Sequence, residues 1–297
     1  MYHNPVMLHE TIQGLAIKPG GNYVDATYGG GGHSAAILPE LDHGRLIAFD
    51  QDSDAMANKI NDERLILINH NFRYLKNFLK YHDALPVDGI LADLGVSSHQ
   101  FDLAERGFSL RFPGRLDLRM NRKQGKTAQN VLNEYSLDDL TKVFREYGEI
   151  NNARAISLAI VKARETKPLV QFEDLQAVLL HYAPVAKEIK FFAKILQALR
   201  IEINEELDAL KEFLIQAAEA LKPGGRLVVL SYHSLEDRLV KNFIRSGNFE
   251  GTVEQDFYGN VKTAFTAINK KPLVPQEKEL EQNSRSRSAK LRIAEKL

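Results

Sequence analysis

Three aspartates stand where chemistry is most easily placed. Asp25, Asp50 and Asp93 each close a short apolar run: Tyr23-Val24-Asp25, Arg45 to Asp50, and Val87 to Asp93. After the first comes Gly29-Gly30-Gly31-Gly32-His33. Consecutive glycines let a backbone approach a ligand closely and aim amides at it from the start of a helix. Gly30-x-Gly32-x-x-Ala35 also satisfies the dinucleotide fingerprint, with Asp50 near the distance expected of a ribose-binding carboxylate. The turn alone therefore suits two cofactors: a nicotinamide dinucleotide, or one that carries an ammonium and a sulfonium. Two details disfavour the dinucleotide. Asp25-Ala26-Thr27-Tyr28 intervene before the glycines, and a charge at Asp25 would repel a pyrophosphate. Ionised Asp50 is acceptor-only and could take both ribose hydroxyls; the bland alternative is a solvated turn residue, with Asp52 the better helix cap. Phe72 could wall one face of an adenine, or simply be core.

Asp93 opens Asp93-Leu94-Gly95-Val96-Ser97-Ser98-His99-Gln100. Sites of open parallel sheets lie beyond the carboxyl ends of their strands, at the switch point. If the acceptor there is an exocyclic amine, a carboxylate accepting its N–H bond would localise the lone pair as the transferred group arrives. The alternative is a carboxylate that only orients a ligand. Ser231 to Arg238 follows a fifth apolar run, so Tyr232 and His233 could contact a base at the sheet edge, while Ser234 to Asp237 reads as a capping box. His33, His99 and His233 follow three strand ends, but their spacing matches no zinc pattern and no metal is expected.

The elements that must position these residues alternate. Strands are expected at Tyr23–Thr27, Arg45–Asp50, Leu65–Ile68, Val87–Leu94 and Arg226–Ser231, with helices at Ser34–Leu41 and Ser53–Ile60 between them. Near-continuous apolar strands separated by helices indicate a parallel sheet covered on both faces, an α/β fold. About 130 residues separate Leu94 from Arg226, whereas one crossover needs about thirty. The surplus carries helical spacing at Ala128–Tyr135, Leu137–Tyr147, Asn151–Thr166 and Phe172–His181, with Ser136 to Asp139 as a capping box. Residues 104–205 are therefore read as an inserted all-helical domain within a core of 1–103 and 206–297. A closing strand is expected at Ala289–Ile293.

Net charge is zero, yet it is segregated. Between Ala104 and Lys126 seven cations, Arg106 and Arg111 among them, face two acids; from Asn283 to Leu297 five cations, including Arg285 and Arg287, face one. Such segments can attract phosphates on a neutral protein, or can be solvated loops. There is no apolar run of membrane-spanning length and no signal-peptide pattern at Met1–Pro5, and there are no cysteines, so a cytoplasmic protein is expected.

Laid end to end, these segments resemble the bacterial 16S ribosomal RNA cytosine-N4 methyltransferases, the MraW/RsmH family. The likeness runs through His3-x-Pro5-Val6-Met7-Leu8, Asp25-x-Thr27, Gly31 to Ser34, Asp88 to Ser98, Gln100, Arg106 to Ser109, Leu116 to Met120, Gln197 to Ile201, Pro223 to Leu227, Ser231 to Arg238 and Arg285 to Ala289. It implies a class I, Rossmann-like methyltransferase sheet dependent on S-adenosylmethionine. The implied reaction is methylation of N4 of a cytidine, cytidine 1402, in the decoding region of 16S rRNA. The substrate would be the small ribosomal subunit or a late assembly intermediate, and a homodimer is the assembly to test. By motif position the cofactor contacts would be Gly31, Gly32, His33, Asp50, Phe72, Asp93 and Gln100. The competing readings are a nicotinamide-dependent enzyme and a non-catalytic ribosome-assembly factor. The chain departs from the pattern at Arg115 and Ser284, where the family has proline. It also has Leu94-Gly95-Val96 where many amino-methyltransferases have Pro-Pro-aromatic. From charge and position, Arg106, Tyr232, His233, Arg285 and Arg287 are the expected substrate contacts.

Overall fold

The computed structural model describes residues 5–110, 114–123 and 125–297; His3 and Arg111 of the sequence reading lie outside them. The chain forms two compact units, Met1–Gly95 with Leu207–Leu297, and Val96–Glu206. The second begins eight residues before the expected boundary at 104, because Val96 and Phe101 already pack on its own core. Among the described residues no helix is long and apolar enough to cross a membrane.

Seven strands of the first unit make one sheet: β1 (Asn22–Asp25), β2 (Arg45–Phe49), β3 (Leu65–Ile68), β4 (Val87–Asp93), β5 (Leu221–Ser231), β6 (Phe265–Ala267) and β7 (Lys290–Lys296). Their order is β3-β2-β1-β4-β5-β7-β6. The first five are parallel; β7 runs antiparallel to β5 and β6 to β7. The order reverses between β1 and β4, the switch point at which such sheets bind ligands. The apolar runs were needed on both faces. Val24, Ile47, Phe49, Ile90, Ala92, Leu227 and Val229 pack into one core cluster, while their neighbours Tyr23, Leu46, Ala48, Leu91, Val228 and Leu230 pack into another. This is the two-residue period of a strand with a helical layer on each side.

Several expected elements change shape. β5 starts at Leu221, and Pro223-Gly224-Gly225 sits within a register shift, where Val87 pairs with Leu221 but Gly89 pairs with Arg226. The expected helix Ser53–Ile60 is a 3₁₀ stretch, Ser53–Asn58, because it buries only Ala55 and has no apolar stripe to sustain a helix. Asp52 does cap it, accepting the Asp54 amide at 3.1 Å. The strand β6 was not foreseen. The closing strand is longer than Ala289–Ile293.

The second unit is helical, with helices at Ala128–Glu134, Leu137–Glu146, Ala153–Thr166, Phe172–Leu179 and Glu188–Asn204 around Leu132, Phe144, Ile156, Ile160, Leu175, Ile195 and Leu199. Ser136 caps the second of these through the Asp139 amide at 3.1 Å.

Candidate active site at the carboxyl ends of the strands

Asp25 ends β1, Asp50 follows β2, and Asp93 ends β4. Asp25 is 1 % exposed, with one oxygen accepting the Thr27 amide at 3.1 Å and the other the Ser34 hydroxyl at 2.7 Å. Asp50 accepts the Gly29 amide at 2.7 Å and the Asp52 amide at 2.8 Å. Each of its oxygens keeps a lone pair, so the two acceptor positions expected for a ribose survive. Asp93 presents its own amide to the Thr27 hydroxyl at 2.7 Å, and its Oδ1 accepts the Tyr232 hydroxyl at 2.7 Å. Oδ2 lies 3.7 Å from His33 Nδ1.

Burial out of water disfavours the charged form and raises all three carboxyls, Asp50 to about 6. The His33 ring opposes the shift at Asp25 and Asp93, as do hydrogen bonds from Ser34 and Tyr232. Asp25 also adds to the rise at Asp50 and Asp93, so the three sense one another. Among the described residues no lysine or arginine pairs with any of them. The cluster gathers one buried and two half-buried carboxyls at one edge of the sheet.

His33 is 6 % exposed, and its Nε2 lies 3.1 Å from the Val6 carbonyl. A carbonyl only accepts, so Nε2 is the donor to Val6, and the ring turns Nδ1 toward Asp93. Burial and the neighbouring Asp93 charge push the Tyr232 hydroxyl far above its ordinary value, which keeps it a donor. Tyr232 thus supports Asp93 through its hydroxyl.

The glycine turn is shaped partly by the protein itself. Gly31 has φ +77°, and a Cβ there would lie 2.7 Å from the Tyr28 hydroxyl, which ties the turn to Asn58 and Ile60. A Cβ on Gly32 would collide with the Pro5 ring. Phe72 follows β3 and packs edge-on against Phe213 at 5.2 Å.

Other expected site residues are placed differently. His233, not Ser234, caps the helix Ser234–Ser246: its Nδ1 accepts the Glu236 amide at 3.4 Å, and Glu236 Oε2 accepts the amides of Tyr232 and His233 at 2.9 and 3.3 Å. Its buried Nε2 has no hydrogen-bond partner and sits 3.2 Å from Glu236 Oε1. Gln100 belongs to the second unit, where it and Ser97 cap the helix Ser98–Asp102 reciprocally. Arg106 is a correction. It is 1 % exposed, with its guanidinium on the Arg119 and Met120 carbonyls at 3.1 Å and over the Phe108 ring, so it organises its loop from inside rather than facing a phosphate. Of its basic neighbours, Arg119 pairs with Asp117, Arg122 with Glu105, and Lys126 lies over the Tyr135 ring. The basic tail is corrected in part. Lys290 and Arg292 pair with Asp237 at 3.1 and 2.7 Å because β7 is drawn into the sheet, which leaves Arg287 exposed and Arg285 half-buried. Residues that the sequence reading passed over are Thr27, Ser34, Glu236 and the Val6 carbonyl. Asp25-x-Thr27 was the available signal, since a hydroxyl two residues beyond a strand-end acid can reach the next strand.

A doubly wound α/β unit whose ligand-facing edge gathers carboxylates around a glycine turn defines a cofactor-binding enzyme fold. The MraW methylase family matches residues 1–297, and the chain belongs to that family. It is 57 % identical over 297 residues to the ribosomal RNA small subunit methyltransferase H of Flavobacterium johnsoniae, covering 100 % of this chain and 98 % of that one. It is 55 % identical over 297 residues to the protein of the same name from Phocaeicola vulgatus, with the same coverage. Among solved structures, an rRNA methylase from Streptococcus thermophilus aligns with TM-score 0.43 and 15 % identity, over 100 % of this chain and 99 % of that one. A Streptococcus mutans protein solved with SAH aligns with TM-score 0.44 and 14 % identity, over 100 % of both chains.

Proposed function

We propose that this chain transfers a methyl group from S-adenosylmethionine to N4 of a cytidine, cytidine 1402, in the decoding region of 16S rRNA. The observation that carries the choice of cofactor is the carboxylate cluster of Asp25, Asp50 and Asp93 around the glycine turn, with no lysine or arginine partner among the described residues. A pyrophosphate would add negative charge to it, whereas a ligand with an ammonium and a sulfonium offsets it. The homologues' shared name and the family match supply the substrate class.

Asp50 would hold the ribose hydroxyls with its spare lone pairs, and the glycine turn and Phe72 would flank the nucleoside. Bound S-adenosylmethionine supplies a methyl on a sulfonium, and transfer to N4 leaves a neutral thioether and one proton to be removed. Asp93 accepts the N4–H bond, which localises the lone pair for attack. Tyr232 occupies Oδ1 and leaves Oδ2 as the oxygen for this task. Oδ2 takes the released proton, with His33 Nδ1 3.7 Å away. The helical unit serves RNA recognition, on the small subunit or a late assembly intermediate in the cytoplasm.

The test is labelled methyl transfer from S-adenosylmethionine to small subunits purified from cells lacking this modification, followed by nucleoside analysis. Label in N4-methylcytidine is the expected result. Label in another nucleoside overturns the acceptor, and stabilisation of the protein by NAD but not by S-adenosylmethionine overturns the cofactor.

A further inference from the structure

The second unit shows most of its exposed large aliphatic side chains in one segment. Val185 is 91 % exposed, Ile189 79 % and Leu180 49 %; among the described residues of this unit only Leu158 joins them. Each forfeits part of the stabilisation that burial of such a side chain provides. The turn that presents them is held in place. Ala186 sits at φ +60°, outside the region that side-chain-bearing residues favour, and its amide donates to Glu188 Oε1 at 3.0 Å. The Lys187 amide closes on the Pro184 carbonyl at 3.0 Å. Glu188, the acid of the segment, is thereby tied to backbone. Lys187 and Lys190 are exposed and form no ion pair among the described residues. Lys194 reaches only the Glu149 carbonyl, at 3.3 Å.

Exposed apolar side chains rimmed by polar groups mark an interaction surface, and the sign of the rim selects the partner. The molecule contains its own control. In the first unit, the hairpin closed by Gln255 and Val261 exposes Phe257 at 97 % and Tyr258 at 85 %, but residues 250–262 carry Glu250, Glu254 and Asp256 against Lys262. That tip would repel a phosphate backbone; the 180–190 segment attracts one.

We infer that residues 180–190 are a contact surface for ribosomal RNA, with Lys187 and Lys190 on phosphates and Val185 and Ile189 as an apolar wedge against exposed bases or sugars. This rests on the RNA-methylating reading above and extends it to a recognition element that the charge pattern of the sequence did not reveal.

The test measures binding of the full-length protein to protein-free 16S RNA and to small subunits across a salt series. The variants are Lys187→Glu with Lys190→Glu, and Val185→Ser with Ile189→Ser. All four side chains are exposed, and an unchanged thermal shift with S-adenosylmethionine verifies that the variants fold. Charge reversal should weaken RNA binding about tenfold at low salt and reduce the log–log salt slope by about 2. The serine pair should weaken it about threefold with the slope unchanged. Wild-type affinity and slope in both variants overturns the surface. Loss on subunits with RNA binding retained also overturns it, in favour of a ribosomal protein contact. Wild-type protein that binds neither RNA nor subunits overturns the functional reading together with the surface.

Discussion

The strand-end edge of the first unit and the helical second unit treat carboxylates in opposite ways. At the edge, Asp25 is buried and Asp50 and Asp93 are half-buried among hydroxyl and amide donors and one histidine, and all three are raised. In the second unit, Arg119 grips both oxygens of Asp117, and Lys167 with two backbone amides holds Asp174 at about 2, so both are lowered. A paired carboxylate is finished; it stabilises the fold and has nothing left to bind. An unpaired buried one costs stability and retains that cost as affinity for a cation or a proton. Under the proposed function, the contrast separates residues that hold the protein together from residues that act.

The sharpest way to break this contrast is Asp93→Asn, which keeps shape and removes charge. Methyl transfer in single-turnover assays should fall about 10²- to 10⁴-fold, while S-adenosylmethionine still stabilises the protein; a loss below tenfold would remove Asp93 from the chemistry. Asp117→Ala should do the reverse. It strands the half-buried Arg119 and should cost about 2 kcal/mol, seen as a drop of roughly 4–8 °C in Tm, with kcat unchanged at permissive temperature. A fall in kcat without loss of Tm would contradict a purely structural role.

Tyr232→Phe should produce a smaller, diagnostic change. Loss of the donor to Oδ1 raises the Asp93 carboxyl further, so the acid limb of kcat against pH should move up by about one unit and the neutral-pH rate fall several-fold. An unshifted limb would leave Tyr232 as packing only. The smallest effect is on stability. Asp50 titrates near 6 when folded and near 3.8 when free, so its contribution is full below about pH 4 and is lost as pH rises through about 6. In the cofactor-free protein, Asp50→Asn should therefore flatten the fall in Tm between pH 4 and pH 7. Asp174→Asn should have the opposite signature, since that carboxylate stabilises above its free value and loses its effect only as pH drops toward 2. Parallel Tm–pH curves for the two variants would collapse the contrast.

Much of this was legible residue by residue. The apolar runs predicted the five parallel strands because a strand covered on both faces has no polar side to alternate. The acids closing three of those runs had to emerge at the sheet's carboxyl edge, and the glycines had to form a turn. Caps were legible where their partners are three residues away, as at Ser136 and Asp52. At 233–237 the same local grammar had two solutions: Ser234 looked like the cap, but Glu236 is drawn back onto the Tyr232 and His233 amides and makes His233 the cap.

What local pattern determined, then, is the alternation of elements, the glycine turn and the line of carboxylates that makes this chain a cofactor-binding enzyme. What only tertiary structure decided is which charges remain to be used. Arg106 reads as an RNA-facing cation and is interior because distant carbonyls of Arg119 and Met120 close over it. Arg292 reads as tail and is neutralised because β7 lies against β5 and brings it to Asp237, fifty-five residues away. Tyr232 reads as a base contact, and only the fold shows that its hydroxyl, just past β5, reaches Asp93 at the end of β4. The reason is physical. Side-chain type sets what a residue can pair with, but the partner that takes it out of solvent is chosen by chain segments that meet only when each unit folds.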